Sequence, residues 1–301
     1  MPPDLGNIMC PVITQEENTD ICMIPTAEDI KRVIFEMQNL KAPGPDGLPP
    51  LFYKQYWPTV GHNVTKAVQN FFVEGKRLKE INNTLIVLIP KILNPTSVNN
   101  FRPISLCNVV YKVISKNLVT KLRPLLDKII SPCQSAFIPG SWIGENQVIV
   151  KDLMHSLKTK KVKDDFAAIK VDLQKAYNRI NWGFLESVLC QHGFSTMFVN
   201  WTLQCVTTVT FSVIVNGGRT NHFSPTRGLR QGDPLSPYLF ILCQDVLSCL
   251  IDQQFHLRNI SGVKMNVSSP AITYVMFADD LMTFSKANRR EIGILNDCLE
   301  T

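Results

Sequence analysis

Apolar residues recur along the chain at two spacings, and the change from one to the other marks its elements. Ile30, Val33, Ile34 and Met37 repeat at i, i+3, i+4 and i+7. That spacing predicts a helix with one apolar face, opened at Thr26 with Asp29 three residues on as an imperfect capping box. The turn-forming run Ala42-Pro-Gly-Pro-Asp-Gly47 must end it. A second helix is predicted from Val60 to Phe72, a buried strand over Thr84–Lys91, a loop over Asn94–Asn100 and a helix from Val109 to about Leu126, with Phe101–Leu106 leading into it.

The pattern then alternates again. Residues 158–165 form a charged connector and a candidate seam. Phe166–Asp172 reads as a strand that ends in an acid. Phe184–Leu189 and Phe198–Cys205 read as helices, and Thr210–Gly218 as a strand entering a hairpin turn at Asn216-Gly217. Arg227–Asp233 is a polar loop, and a helix is expected from Pro234 to about Ile251. Ala271–Phe284 reads as two apolar strands flanking Asp279-Asp280. Residues 1–25 show no period and are expected to be an irregular leader.

Composition narrows the class. Of 301 residues, 45% are hydrophobic and 19% charged, enough for a large core and too apolar for general disorder. The net charge of +6 is compatible with a polyanionic partner. Nine scattered cysteines with no C-x-x-C pair argue against a zinc ribbon or a disulfide framework and for a reducing compartment, nuclear or cytoplasmic. Asp4, Glu16 and Glu17 interrupt any signal peptide, so the chain is not expected to be secreted. The longest apolar runs, Leu85–Ile89 and Tyr238–Cys243, are too short to span a bilayer, so no membrane is expected.

Chemistry concentrates at three acids. Two adjacent carboxylates about 4 Å apart repel by roughly 4 kcal/mol at an effective dielectric near 20. A hard, oxygen-liganded cation such as Mg²⁺ offsets that cost. An isolated Asp-Asp pair is more often a solvated turn, and a single strand-end acid such as Asp172 more often a cap. Together, three acids at strand ends can converge on one sheet edge, where two ions about 3.5–4 Å apart can hold both oxygens of a phosphoryl displacement.

The segment Arg227–Phe240 adds Gly228 and Gly232 for close backbone approach, Arg227 and Arg230 as phosphate donors, and a helix amino end near Pro234. It does not match a Walker loop. Lys91, Arg102, Lys112, Lys116, Lys121 and Arg123 are either a phosphate-tracking face or the wet side of ordinary helices. The five histidines show no metal-ligand spacing, and Ser135 and Ser236 have no partner base.

Seven blocks, in order, carry a resemblance: LKAPGPDGLP (40–49), TLIVLIPK (84–91), FRPISLCNVVYKVISK (101–116), SPCQSAFIPG (131–140), AIKVDLQKAYNRINW (168–182), GLRQGDPLSPYLF (228–240) and FADD (277–280). From about Thr26 onward the chain resembles the reverse transcriptase of LINE-type non-LTR retrotransposons, especially those of plant genomes. The resemblance implies an α+β right-hand polymerase fold, with an antiparallel palm sheet packed on helices and with fingers. Residues 26–165 would be the N-terminal extension and fingers and 166–301 the palm, with the reverse transcriptase domain overall at about 71–301.

The same resemblance implies RNA-directed DNA synthesis by two-metal nucleotidyl transfer, with an RNA template, a DNA primer and deoxynucleoside triphosphates as partners. Two Mg²⁺ ions, or Mn²⁺, would be held by Asp172, Asp279, Asp280 and the backbone carbonyl of Leu173. Tyr177 would lie beneath the incoming sugar and exclude a 2′-hydroxyl. Gln231 and Gly232 would sit beside nucleotide and template, with Lys91 and Arg102 facing the triphosphate. Asn178 and Ser141 depart from the pattern, standing where the family usually has an Asp and often a basic residue. The chain stops at Thr301, soon after FADD, so the thumb and the other domains of a complete element are expected to be missing. The alternative expectation is a catalytically inactive truncated remnant or an RNA-binding scaffold.

Overall fold

Two capping boxes open the fold. Thr14 caps α1 (Gln15–Ile21) and Thr26 caps α2 (Ala27–Glu36). Each threonine hydroxyl accepts from the backbone N–H three residues on, and each N3 acid accepts from the threonine N–H. The computed structural model describes residues 5–75, 79, 81–159, 165–266 and 268–300. Residues 5–25 are therefore not irregular. Leu5, Met9, Ile13 and Ile21 are buried in the same core as Ile30, Val33, Ile34 and Met37 of the predicted face. A seven-residue helix rich in acids shows too few turns for its period to register.

α3 (Pro50–Gln55) and α4 (Trp57–Glu74) follow, the latter ended by Gly75 at φ 61°. β1 (Asn83–Pro90) and β2 (Phe101–Cys107) form an antiparallel hairpin, with Thr84 opposite Cys107 and Pro90 opposite Phe101. Phe101–Leu106, expected as a lead-in, is thus a full strand. α5 (Val109–Leu122) stops short of the expected Leu126, and Pro124 sits in the 3-10 turn that joins it to α6 (Leu126–Ile129). α7 (Ile143–Thr159) comes next. The expected seam at 158–165 falls largely on residues 160–164, outside the described residues.

The second half contains β3 (Phe166–Asp172), α8 (Ala176–Arg179), α9 (Trp182–Gln191), α10 (Thr196–Thr207), β4 (Thr210–Val215) and β5 (Gly218–Arg219). It continues with α11 (Ser236–His256), β6 (Val263–Lys264), β7 (Ala271–Ile272), β8 (Tyr274–Phe277), β9 (Asp280–Lys286) and α12 (Arg289–Glu300). The architecture is mixed α+β. One sheet runs β2-β1-β4-β5, with β1 and β4 parallel; a second, wholly antiparallel, runs β3-β9-β8; β6 and β7 pair separately. β4 thus joins strands from the first half, and one core extends from Leu5 to Ala278. Trp201 anchors it, edge-on to Phe72 at 4.9 Å between ring centroids. Among the described residues no helix is long and apolar enough to cross a membrane.

Candidate active site

The β8–β9 hairpin turns on two residues, Ala278 and Asp279, because Phe277 and Asp280 are directly paired. A two-residue hairpin needs positive φ to match strand twist, and Ala278 adopts φ 50°. An alanine resists that conformation, so the turn is held from outside. The buried Gln134 supplies the hold: its Oε1 accepts from Ala278 N (3.0 Å) and Ala136 N (2.9 Å). Residues 133–135 run beside β8, with Met276 N donating to Cys133 O (2.8 Å) and Ser135 N to Met276 O (3.2 Å). Gln134 was not among the sequence candidates. A lone glutamine in a loop carries no spacing signal, and the turn residue it holds, Ala278, lies 144 residues away.

The segment is anchored in turn by Asp245 of α11, whose Oδ1 accepts from Ser131 N (2.9 Å). Burial pushes the Asp245 carboxyl up to about 6. The protonated form is therefore favoured in the fold. Its contribution to stability is complete below the ordinary aspartate pKa and is lost as pH rises through about 6. Asp245→Asn is expected to remove this loss, gaining roughly 2–3 kcal/mol over wild type between pH 4 and 7.5. Urea denaturation at both pH values checks it; an unchanged difference between the two proteins refutes it.

The acids meet where the strands end. Asp172, the last residue of β3, is the cross-strand partner of Asp280. Asp172 and Asp279 line one cavity of about 790 Å³ together with Lys91, Arg102, Leu173, Tyr177 and Gln231. Seven sequence candidates are thus brought to one place. Asp280 turns elsewhere: its Oδ1 lies 3.1 Å from Lys170 Nζ, with both side chains mostly exposed. Among the described residues no three acids, histidines or cysteines are grouped as a ready metal cage. The donor set still fits a hard cation. It is all oxygen, solvent-exposed, and offers the Leu173 carbonyl, which Ala176 N engages at 3.2 Å with one lone pair.

Tyr177 is held on two sides. Its ring stacks on Phe240 of α11 at 4.6 Å and 12°, and its carbonyl accepts from Leu229 N (2.7 Å). Burial, and then the charge of Asp279, push its phenol up to about 12, so it stays neutral. Lys91 and Arg102 are exposed on the β1–β2 hairpin, with Lys91 Nζ donating to Asn99 O (3.1 Å). Gly232 does not line the cavity. At φ 106° it passes so close to β2 that a Cβ would meet Ser105 O at 3.1 Å. Gly228, at φ 93°, packs likewise on the Asn178 backbone, where a Cβ would meet its carbonyl at 2.9 Å.

Two expectations fail. Arg230 is not a phosphate donor: it is buried and its guanidinium is bonded within the protein. Lys112 belongs to neither a phosphate face nor a wet one, and Lys121 is half-buried. Lys112 is buried and donates to Ala42 O (3.0 Å), while Lys121 donates to Met23 O. Burial pushes both ammonium groups down. α5 is enclosed on most of its surface, so Lys112 and Lys121 satisfy carbonyls of neighbouring segments.

Residues 89–301 match the family described as reverse transcriptase (RNA-dependent DNA polymerase). The chain belongs to the reverse transcriptase family. The match begins inside β1 and takes in Lys91, Arg102, Tyr177, Gln231 and all three acids. This reverse transcriptase domain is 25% identical over 272 residues to the "Transposon TX1 uncharacterized 149 kDa protein" of Xenopus laevis, covering 90% of the chain and 20% of that protein. It is 28% identical over 274 residues to the Pol polyprotein of the type-2 retrotransposable element R2DM of Drosophila melanogaster, covering 90% of the chain and 24% of the relative. The domain thus spans a fifth to a quarter of the length of these retrotransposon relatives. It is also similar to an apo telomerase of Candida tropicalis, with TM-score 0.47 and 15% identity over 74% of this chain and 47% of that one.

Proposed function

We propose that this domain adds deoxynucleotides to a DNA primer on an RNA template, as the polymerase of a non-LTR element of the plant type. The observation that carries the reading is the single cavity lined by Asp172, Asp279, Tyr177, Gln231, Lys91 and Arg102. It combines carboxylates, an aromatic floor and two cations at one opening. In this reading the β1–β2 hairpin belongs to the fingers within residues 26–165, and the β3-β9-β8 sheet is the palm within 166–301.

Asp172, Asp279, Asp280 and the Leu173 carbonyl would hold two Mg²⁺ ions. Bound there, such ions lower the pKa of the primer hydroxyl and offset charge on the phosphates. Asp280 would give up Lys170, an exposed partner worth little. Lys91 and Arg102 face the triphosphate and offset charge on the leaving pyrophosphate. Tyr177, fixed by Phe240 and Leu229, floors the sugar site and excludes a 2′-hydroxyl. Tyr177→Ala is expected to relax discrimination against ribonucleotides by roughly 10–100-fold, read as the ratio of kcat/KM for dTTP and UTP. An unchanged ratio removes Tyr177 from that role.

Primer extension on poly(rA)·oligo(dT) with dTTP and Mg²⁺ tests the whole reading. Extension is expected; none from a well-folded sample defeats it. The Asp280–Lys170 pair favours a second reading, a non-catalytic RNA-binding scaffold. Salt-sensitive RNA binding that survives Asp279→Asn, without polymerisation by the wild type, would select it.

A further inference from the structure

We propose that the buried Arg230–Asp233 pair is the positioning device that sets the Gln231–Gly232 loop and Tyr177 at the cavity; the proposal rests on reading that cavity as the nucleotide site. The two side chains flank the loop in sequence and both point into the core, at 5% and 3% exposure. Arg230 Nη1 donates to Asn82 Oδ1 (2.6 Å) and Thr84 Oγ1 (3.2 Å), and Nη2 to Cys205 O (2.9 Å) and Asp233 Oδ2 (3.1 Å). Its guanidinium carbon lies 4.0 Å from the centroid of the Tyr111 ring. Asp233 accepts from Tyr111 OH (2.6 Å), Ser115 Oγ (2.5 Å) and Leu235 N (3.1 Å). One ion pair thereby fastens the loop to β1, α5, α10 and the start of α11.

Gln231 lies between the pair and Leu229 beside it, and each ties the loop to a wall of the cavity. Gln231 lines the cavity, and its carbonyl accepts from Ser105 N of β2 (2.8 Å). Leu229, one residue before Arg230, donates to the Tyr177 carbonyl (2.7 Å). A shift at Arg230 is therefore passed to both walls of the site through single hydrogen bonds. Stability alone does not call for the pair, since apolar residues of similar volume often serve a core as well or better. A fully bonded buried charge network instead allows one arrangement and disfavours every slipped one, because any slip strands a desolvated charge. Neither residue lines the cavity, so both act through Gln231 and Tyr177.

Amide exchange and nucleotide kinetics of Arg230→Lys and Asp233→Asn test this in the full chain. The Leu229 and Ser105 amides are expected to exchange at least about tenfold faster while α9 amides keep their rates, and KM for dTTP to rise about tenfold with a smaller fall in kcat. Wild-type exchange at Leu229 and Ser105 in a folded variant overturns the proposal, as does a fall in kcat with KM unchanged. Where a single variant does not fold, Arg230→Met/Asp233→Leu removes both charges together and is read the same way. If the wild type makes no product, the polymerase reading fails, and amide exchange still decides whether the pair positions the loop.

Discussion

Asp172→Asn is expected to cut dTTP incorporation by about 10³-fold or more while leaving the fold as stable as before. The activity loss follows from the site. Asp172 is one of two acids that line the cavity and the cross-strand partner of the third. An amide there keeps the shape and one oxygen but removes the charge that would draw and orient a divalent cation. Stability should be unchanged or slightly higher, because like charges directly opposite on paired strands repel. Loss of activity with an undiminished melting temperature is the signature of a site residue. Parallel extension assays and thermal melts separate it from simple unfolding. A fully active Asp172→Asn would take this acid out of the chemistry and with it the proposed cation site.

Arg230→Met has the largest expected effect on stability, a loss of about 3–5 kcal/mol. For a chain of 301 residues that corresponds to a fall in Tm of roughly 5–8 °C. The cause is what remains after the substitution. Asp233 stays buried at 3% exposure and keeps its Tyr111, Ser115 and Leu235 donors, but loses its cation. Asn82 Oδ1 and Cys205 O lose their donor as well. Removing both charges in Arg230→Met/Asp233→Leu should cost much less, so the two substitutions are strongly non-additive. Equilibrium denaturation of the single and double variants measures the coupling. A single variant as stable as wild type would mean that the carboxylate has found another partner or water.

The sequence was informative wherever the cause of structure is local. The Thr26 box and the Ile30–Met37 face needed only residues within a few turns of one another, and both are present. An apolar run ending in Asp172 made β3, and the Asp-Asp pair between apolar runs made the β8–β9 hairpin. Register then carried Asp172 to Asp280 because the antiparallel pairing of β3 and β9 continues to their ends. The motif blocks supplied the rest, since their order points to a family where each alone would not.

Only the tertiary structure decided which way ambivalent residues face. Arg230 reads as a surface donor in its loop, yet its oxygen partner Asn82 lies 148 residues away and draws it inward. Lys112 and Lys121 read as solvated, yet carbonyls of the first 42 residues accept their hydrogen bonds. Asp280 stands beside Asp279 in the chain, but strand geometry sends the two to different sides of the hairpin, one to Lys170 and one to the cavity. A period or a turn is set by near neighbours, whereas burial of a charge is settled by whichever distant groups the fold brings to meet it.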